Sequence, residues 1–219
     1  MFVKVLKLEN MEIISNFGSK KIIFPPIIYN TVKIADAVSK EGENFSIFAG
    51  WDKKMVEQLK NLSSDKKDVE LQNNTSDFKR FSEGSYEQWY KKRRTPFALI
   101  HNNTNALAGV AWFGPKLLGR KSIKHLNEKE LKENEISLNN DNWHTISYRC
   151  YPNFRGKGLT KKFVAFVMDV YLKNVPHVKL WAGINTENIA SEKLAEGLGF
   201  KRFDKLSDDN SHHIVMVKY

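Results

Sequence analysis

Hydrophobic and polar positions follow a clear pattern in the second half of the chain, where their period changes between that of strands and that of helices. Val178, Leu180, Ala182 and Ile184 stand at every second position, which predicts a strand. Similar patterns predict strands over 97–101, 106–113, 145–151, 201–206 and 212–219, and helices over 158–173 and 187–198. This order predicts a mixed α/β domain in which helices follow a hairpin and then alternate with strands.

The first half of the chain is less regular. Apolar residues at helical spacing predict a helix over 52–62, and aromatic residues predict a second helical segment over 78–90, interrupted near Gly84. The polar stretches 63–77 and 114–142 are predicted to be loops, the second with a short helix over 127–133. Pro25-Pro26 excludes a helix through the apolar stretch 22–29, and residues 1–45 are expected to form short strands and a loop packed on the main body.

The composition of the 219 residues, with 41% hydrophobic and 27% charged, is that of a globular protein. No apolar run is long enough to cross a bilayer, and charged residues interrupt the segment where a signal peptide would need its apolar core. A single cysteine, Cys150, fits a reducing compartment, so we expect a cytoplasmic protein. The net charge of +10 favours an anionic partner, which leaves nucleic acid, an acidic surface and a phosphorylated cofactor open.

Three features have competing interpretations. Cys150 is a candidate nucleophile, although a lone cysteine in a strand is more typical of a small buried hydrophobe. Tyr86, Trp89 and Tyr90 precede the basic run 91–94 and could stack on bases, but their helical spacing favours core packing. His212 and His213 are adjacent in a predicted strand, so their rings should point to opposite faces and no metal site is predicted.

The segment 155–160 has the strongest local signal for ligand binding. Gly156 and Gly158 let a ligand approach the backbone closely, and the helix that follows begins with unpaired N–H groups at the positive end of its dipole. Arg155 and Lys157 add positive charge, so the segment predicts a pyrophosphate site. The spacing matches neither the P-loop nor the full dinucleotide fingerprint, and a Gly-x-Gly by itself is equally typical of a structural turn.

Two segments together resemble the GNAT superfamily of N-acetyltransferases. Residues 151–159, YPNFRGKGL, resemble its acetyl-CoA signature after a strand and a proline, and residues 185–200 resemble its strand–helix segment that ends in Gly-Phe. The resemblance covers about 97–219, and Thr160 stands where the family prefers Gly or Ala. It implies a mixed α/β fold with a mostly antiparallel central sheet flanked by helices. We expect an N-terminal extension over 1–45 and a GNAT domain over 46–219.

The resemblance also implies a cofactor, acetyl-CoA, and we expect no metal beside it. Its pantetheine arm is expected in a gap between strand 145–151 and strand 178–184, which should run parallel and splay apart. A backbone N–H near Tyr148 would polarise the thioester carbonyl. The expected cofactor-binding residues are Tyr148, Cys150, Arg155, Gly156, Lys157, Gly158, Leu159, Thr160 and Asn188.

The implied reaction is direct attack of a primary amine, from a small molecule or a protein N-terminus, on the thioester. An alkyl ammonium costs about 4–5 kcal/mol to deprotonate at neutral pH, whereas an α-amine costs only about 1 kcal/mol. His144 is the candidate base, and Glu133 and Glu135 could also reach the site through water. The family's tyrosine acid is replaced by Ala195, so Ser191 is the candidate acid.

A GNAT-fold module that binds acyl-CoA or nucleic acid without turnover is the alternative, kept open by the missing tyrosine. As partners we expect an amine acceptor, whose identity the sequence does not give, and neither nucleic acid nor membrane is favoured. A homodimer is also compatible with the sequence.

Overall fold

The structure, a computed structural model, describes residues 11–15, 26–119, 142–207 and 212–219, and one sheet crosses all four ranges. Its strands are β1 (Met11–Ser15), β2 (Val32–Ser39), β3 (Asn44–Ala49), β4 (Thr95–His101), β5 (Ala106–Pro115), β6 (Trp143–Cys150), β7 (Lys179–Asn185), β8 (Lys201–Arg202) and β9 (His213–Lys218). Within the described ranges the strand order is β1-β2-β3-β4-β5-β6-β7-β9-β8.

The pair β6–β7 is parallel, whereas the other neighbouring strands of this sheet run antiparallel. The parallel ladder joins only the first residues of the two strands, with Trp143 opposite Lys179 and Thr145 opposite Trp181. Beyond Thr145 the pairing stops, and the rest of β6 and β7 borders an open cleft. The mostly antiparallel mixed sheet and the splayed parallel pair are both as predicted.

Helices cover both faces of the sheet: α1 (Lys53–Ser64), α2 (Val69–Asn74), a π-helical turn (Phe78–Ser82), α3 (Tyr86–Tyr90), α4 (Leu159–Asn174) and α5 (Ile189–Gly197), with 3-10 turns at Pro152–Phe154 and Asp204–Leu206. The prediction of a loop over 63–77 is wrong, because α2 forms within it. Asp68 caps this helix by accepting a hydrogen bond from the Leu71 amide at 3.1 Å, and the Leu71 side chain is buried.

Two separate cores lie on the two faces of the sheet. One contains the apolar sides of α4 and α5, with Phe163, Val167 and Ala195 packed on the strands. The other is an aromatic cluster in which Trp51 stacks on Trp89 with ring centroids 5.2 Å apart. Tyr86 and Trp89 are buried and Tyr90 packs against this cluster, so core packing of these aromatics is confirmed.

The first strands belong to the same sheet as the rest. Phe45 and Ile47 of β3 are fully buried, and β3 pairs with β4. The prediction of a mixed α/β fold with a mostly antiparallel central sheet flanked by helices is confirmed, while the division at residue 45, which falls inside β3, stays a prediction.

The ends of several predicted segments differ from those observed. Strand β8 is only two residues long, and a 3-10 turn replaces the rest of the predicted strand 201–206. Most of the connection 114–142, including the predicted helix 127–133, Glu133 and Glu135, lies outside the described residues. No helix in the described ranges is both long and apolar enough to cross a membrane.

Candidate active site

A cleft of about 1000 Å³ opens where the β6–β7 ladder stops. Its walls are the parts of β6 and β7 that do not pair with each other, the loop before α4, the start of α5, and α2 with the residues that follow it. The predicted site residues that line it are Tyr148, Cys150, Arg155, Gly156, Gly158, Thr160, Asn188 and Ser191. His144, Lys157 and Leu159 are not among the lining residues in the described part of the chain.

The loop before α4 presents its backbone to the cleft. Gly156 has φ +76° and Gly158 has φ +71°, both in the left-handed region that glycine adopts without strain. A Cβ on Gly156 would meet no atom within 4 Å, so the space beside this residue is open. No side chain caps the N-terminus of α4, which leaves its first amides available to an anion.

The two cations of this loop are already paired with carboxylates. Arg155 binds Asp68 with both ends of its guanidinium, at 2.8 and 2.7 Å, and donates from Nε to the Cys150 carbonyl at 2.9 Å. Lys157 lies 2.8 Å from a carboxylate oxygen of Glu43. Their charges are therefore largely offset, and attraction for an anion rests mainly on the backbone amides, the dipole of α4 and the exposed, cleft-lining Lys161.

Leu159 and Thr160 have different surroundings although both begin α4. The Leu159 side chain is 1% exposed and packs in the core, so only its backbone can contact a ligand in the cleft. Thr160 is hydrogen-bonded to Cys150, and burial raises the pKa of the Cys150 thiol, an effect that this bond and Arg155 partly oppose. A raised thiol pKa disfavours the nucleophilic thiolate.

Tyr148 and Ser191 bring two hydroxyl groups together in the cleft. The Tyr148 hydroxyl lies 3.0 Å from the hydroxyl of Ser191 and 3.0 Å from its carbonyl oxygen. Burial raises the pKa of Tyr148, opposed by the bond to Ser191 and by Arg149, so this phenol is protonated at neutral pH. Only the main chain of Tyr148 was expected to contact a ligand, and its hydroxyl links β6 to α5.

Asn188 occupies the N-cap of α5. Its Oδ1 accepts a hydrogen bond from the Ser191 amide at 3.0 Å, which places Ser191 in the first turn of the helix. The side-chain Nδ2 is not used by this cap and remains a donor beside the cleft. Ala195, one turn after Ser191, is buried in the core.

His144 lies away from Ser191, at the start of β6, where this strand still pairs with β7. Its Nδ1 is 2.6 Å from the Tyr171 hydroxyl of α4. Burial, followed by the nearby charges of Arg93 and Arg94, lowers the pKa of His144 to about 4. The ring is therefore neutral at physiological pH and only weakly basic. The structure does not bring it into the cleft, so its role as a base stays a prediction without geometric support.

A buried ionic cluster that no sequence pattern indicates lies beside the cleft. Asp77 is 1% exposed and lies between two arginines, Arg149 of β6 and Arg80 of the π-helical turn. Arg149 and Arg80 both line the cleft, and both approach the ring of Trp112. Asp77 ends the polar stretch that predicts a loop, and nothing local in the sequence marks it as buried.

The histidines near the C-terminus differ from expectation. His212 precedes β9 with φ +53°, so the alternation of a strand does not apply to it, and both His212 and His213 line the cleft. Among the described residues no group of three or more His, Cys, Asp or Glu side chains could hold a metal ion.

Comparison with known proteins identifies the family. A family model described as an acetyltransferase (GNAT) domain matches residues 52–201. No curated protein matches the chain. Among solved structures, the GNAT domain of S. lividans PAT is 10% identical, with 84% of this chain and 94% of that chain covered at a TM-score of 0.55.

Two further structures share the fold at low identity. A domain from Methanocaldococcus jannaschii DSM 2661 is 18% identical, with coverage of 80% of this chain and 98% of that chain and a TM-score of 0.52. RimL, a ribosomal L7/L12 α-N-protein acetyltransferase in complex with coenzyme A, is 14% identical, with coverage of 78% and 93% and a TM-score of 0.53. The family model spans more than half of the chain, and these folds agree with it. The chain therefore belongs to the GNAT acetyltransferase family and is an acyltransferase of that type.

Proposed function

We propose that the protein transfers an acetyl group from acetyl-CoA to a primary amine, of a small molecule or a protein N-terminus, by direct attack. The observation that carries this proposal is the continuity of one cleft from the open edge of β6 to the amides before α4. A pantetheine arm could pair with the backbone at Tyr148 and Cys150, while the pyrophosphate lies against the amides of residues 156–160. The open space at Gly156 supports this placement.

In the proposed reaction the amine nitrogen attacks the thioester carbon, and the carbonyl oxygen gains negative charge that a backbone N–H near Tyr148 stabilises. The C–S bond then breaks and the thiolate of CoA leaves. Ser191 donates a proton to this thiolate, and the Tyr148 hydroxyl, 3.0 Å away, replaces that proton. The acylated nitrogen releases one proton to water in the open cleft, and water returns one proton to Tyr148. Tyr148 thus supplies from the strand a phenol that the family more commonly has on the helix at the position of Ala195.

Among the described residues, the lining of the cleft offers few groups that could act as a base, which favours an amine of low pKa. The carboxylates and histidines that line the cleft in the described ranges are Glu70, His212 and His213, and Glu70 is 3.2 Å from Arg155. An α-amine loses its proton at a cost of about 1 kcal/mol at neutral pH, against about 4–5 kcal/mol for an alkyl amine. We therefore propose an acceptor whose reacting group is an α-amine.

A second candidate function is binding of acyl-CoA without turnover. It is favoured by Ala195, which is buried and provides no acid at the position where the family commonly has a tyrosine. The two functions make opposite predictions for the release of free thiol when amines are added.

The test is thiol release from acetyl-CoA by the purified protein with a panel of amines. We expect at least one α-amine to accelerate release, and Ser191→Ala and Tyr148→Phe each to lower kcat by about 100-fold or less, the lower range for a general acid. Tyr219→Phe is the control, because Tyr219 is exposed and is not among the residues that line the cleft in the described part of the chain. Binding of CoA with no acceleration by any amine would favour the non-catalytic module.

A further inference from the structure

The buried cluster around Asp77 carries more positive than negative charge. Arg149 donates to Asp77 from Nε at 2.6 Å and from Nη2 at 2.9 Å, and its Nη1 donates to the Tyr148 carbonyl at 2.6 Å. Arg80 contacts the same carboxylate through Nη1. Two guanidinium groups thus share one carboxylate, which leaves one positive charge in excess.

This excess charge is located on Arg80 rather than on Arg149. The Arg149 side chain is 15% exposed and three of its atoms already donate, whereas the Arg80 side chain is 32% exposed. Among hydrogen bonds of the described residues, Arg80 uses only one nitrogen. A guanidinium has five N–H donors in a fixed planar fork, so Arg80 can still bind a carboxylate with its remaining edge.

The position of Arg80 is held by its neighbours. Its guanidinium lies 5.7 Å from the ring centroid of Phe81 and 5.7 Å from that of Trp112. Asp77 holds the third side and is itself held by Arg149. A cation held in this way loses little conformational entropy when it binds an anion, which favours affinity.

The cluster also lies on the face of β6 from which an amine could reach the thioester. Neighbouring residues of a strand point to opposite faces, so Arg149 and Asp77 lie on the face opposite the Tyr148 hydroxyl and Ser191. If Ser191 protonates the departing thiolate on one face, an amine can approach the thioester from the other. Arg80 lines the cleft on that second face.

Resting on the proposed acetyl transfer, we propose that the acceptor carries a carboxylate close to its amine and that Arg80 binds this carboxylate. The carboxylate could be the α-carboxylate of a free amino acid or an acidic side chain near a peptide N-terminus, since both present the same chemistry to a guanidinium. The same excess charge repels a polyamine, whose second ammonium would lie near Arg80.

The experiment measures kcat/KM by thiol release with acceptor pairs that differ in one carboxylate. Glycine against glycinamide tests the amino acid, with kcat/KM expressed per concentration of neutral amine because the carboxylate makes the amine of glycine more basic. The peptide amide Ser-Glu-Gly against Ser-Gln-Gly tests the acidic side chain, and spermidine is the cationic probe. We expect the carboxylate member to be preferred by about tenfold or more in one pair, with spermidine the poorest acceptor. The pair that shows the preference identifies the source of the carboxylate.

The variants then assign the preference to Arg80. Arg80→Gln should raise KM for the carboxylate acceptor much more than for its neutral partner, so that the preference falls to about twofold or less. Lys79→Gln removes the same charge from the neighbouring exposed residue and should keep the preference. Arg80→Lys, which keeps the charge but loses the fork, should retain part of it.

The acceptor pairs measured with the wild-type protein test the carboxylate inference even if Arg80→Gln does not fold. Equal rates for both members of each pair, or faster acetylation of spermidine, would overturn the carboxylate inference while amine acetylation stands. An unchanged preference in a folded Arg80→Gln protein that still binds CoA would also overturn it. If no amine accelerates thiol release, the proposed acetyl transfer itself fails and this inference fails with it.

Discussion

At the scale of single residues, two glycines have matching backbone geometry. Substitutions at these positions therefore distinguish an effect on ligand binding from an effect on stability. Gly156 and Gly42 have φ +76° and +79°, and a Cβ on either would meet no atom within 4 Å. Gly156 lines the cleft, whereas Gly42 lies in the turn between β2 and β3. The added Cβ is therefore strained to the same extent at both positions but reaches the proposed pyrophosphate at only one.

We expect Gly156→Ala and Gly42→Ala each to lower the free energy of unfolding by about 1–2 kcal/mol, the cost of a left-handed alanine. Only Gly156→Ala should weaken CoA binding, by about tenfold or more, since its methyl group occupies space beside the amides. Urea denaturation and calorimetric titration with CoA measure the two effects. Equal CoA affinity in both variants would contradict the proposed pyrophosphate site.

His144 provides a residue-scale prediction on pH. Its folded pKa is about 4, below the ordinary value of 6.5, so between these values the unfolded chain binds a proton that the folded protein excludes. The contribution of this residue to stability is therefore complete above about pH 6.5 and is lost as the pH falls towards about 4.

His144→Asn should consequently show a shallower fall of unfolding free energy with pH across this window than the wild-type protein. Chemical denaturation at a series of pH values measures the slope. Parallel curves for His144→Asn and the wild-type protein would contradict the burial of a neutral imidazole.

At the scale of elements, α2 is held in place by Asp68. This residue accepts the Leu71 amide as the N-cap and also binds both ends of the Arg155 guanidinium. One side chain thus joins the start of α2 to the loop before α4. The polar composition that predicted a loop here was overridden by this cap and by the burial of Leu71.

Asp68→Asn keeps a capping oxygen but removes the charge opposite Arg155. We expect it to lower the free energy of unfolding by about 1–3 kcal/mol, the cost of leaving a buried polar partner unsatisfied. Asp52→Asn makes the same change at the N-cap of α1, where Asp52 accepts the Met55 amide at 2.8 Å, and should cost less than about 0.5 kcal/mol. Urea denaturation of both variants checks this; equal losses would mean that the ion pair contributes nothing beyond the cap.

At the scale of the whole molecule, the net charge of +10 should act on a phosphorylated ligand. Because Arg155 and Lys157 are paired with carboxylates, much of the attraction for CoA must come from the field of the whole protein and from backbone amides. Salt screens such a field over a distance of about 10 Å at 0.1 M.

We therefore expect a measurable rise in the Kd for CoA, of up to about tenfold, when NaCl is raised from about 0.05 M to about 0.5 M. Pantetheine, which has the same arm without the phosphates, should show almost no change. Calorimetric titration of both ligands measures the difference. Equal salt dependence would show that the phosphates gain nothing from the charge of the protein.

Much of the fold and part of the site could be predicted from local patterns. The period of apolar residues located α4, α5 and the strands around them, because burial of one face is encoded every second or every third to fourth residue. The glycines before α4 and the segment that begins α5 were recognisable because the backbone conformation there depends on residue type.

Contacts between distant parts of the chain were decided only by the tertiary structure. Arg155 was expected to face a phosphate but binds Asp68, which is 87 positions earlier, and Arg149 binds Asp77 across 72 positions. The Tyr148 hydroxyl reaches Ser191 only because β6 packs against α5, and His144 is placed away from it beside Tyr171. The sequence alone therefore determined the family, the elements and the backbone of the proposed anion site, since these depend on neighbouring residues. Which charges pair and which hydroxyl groups meet depends on the order of strands in the sheet, and only the folded chain establishes that order.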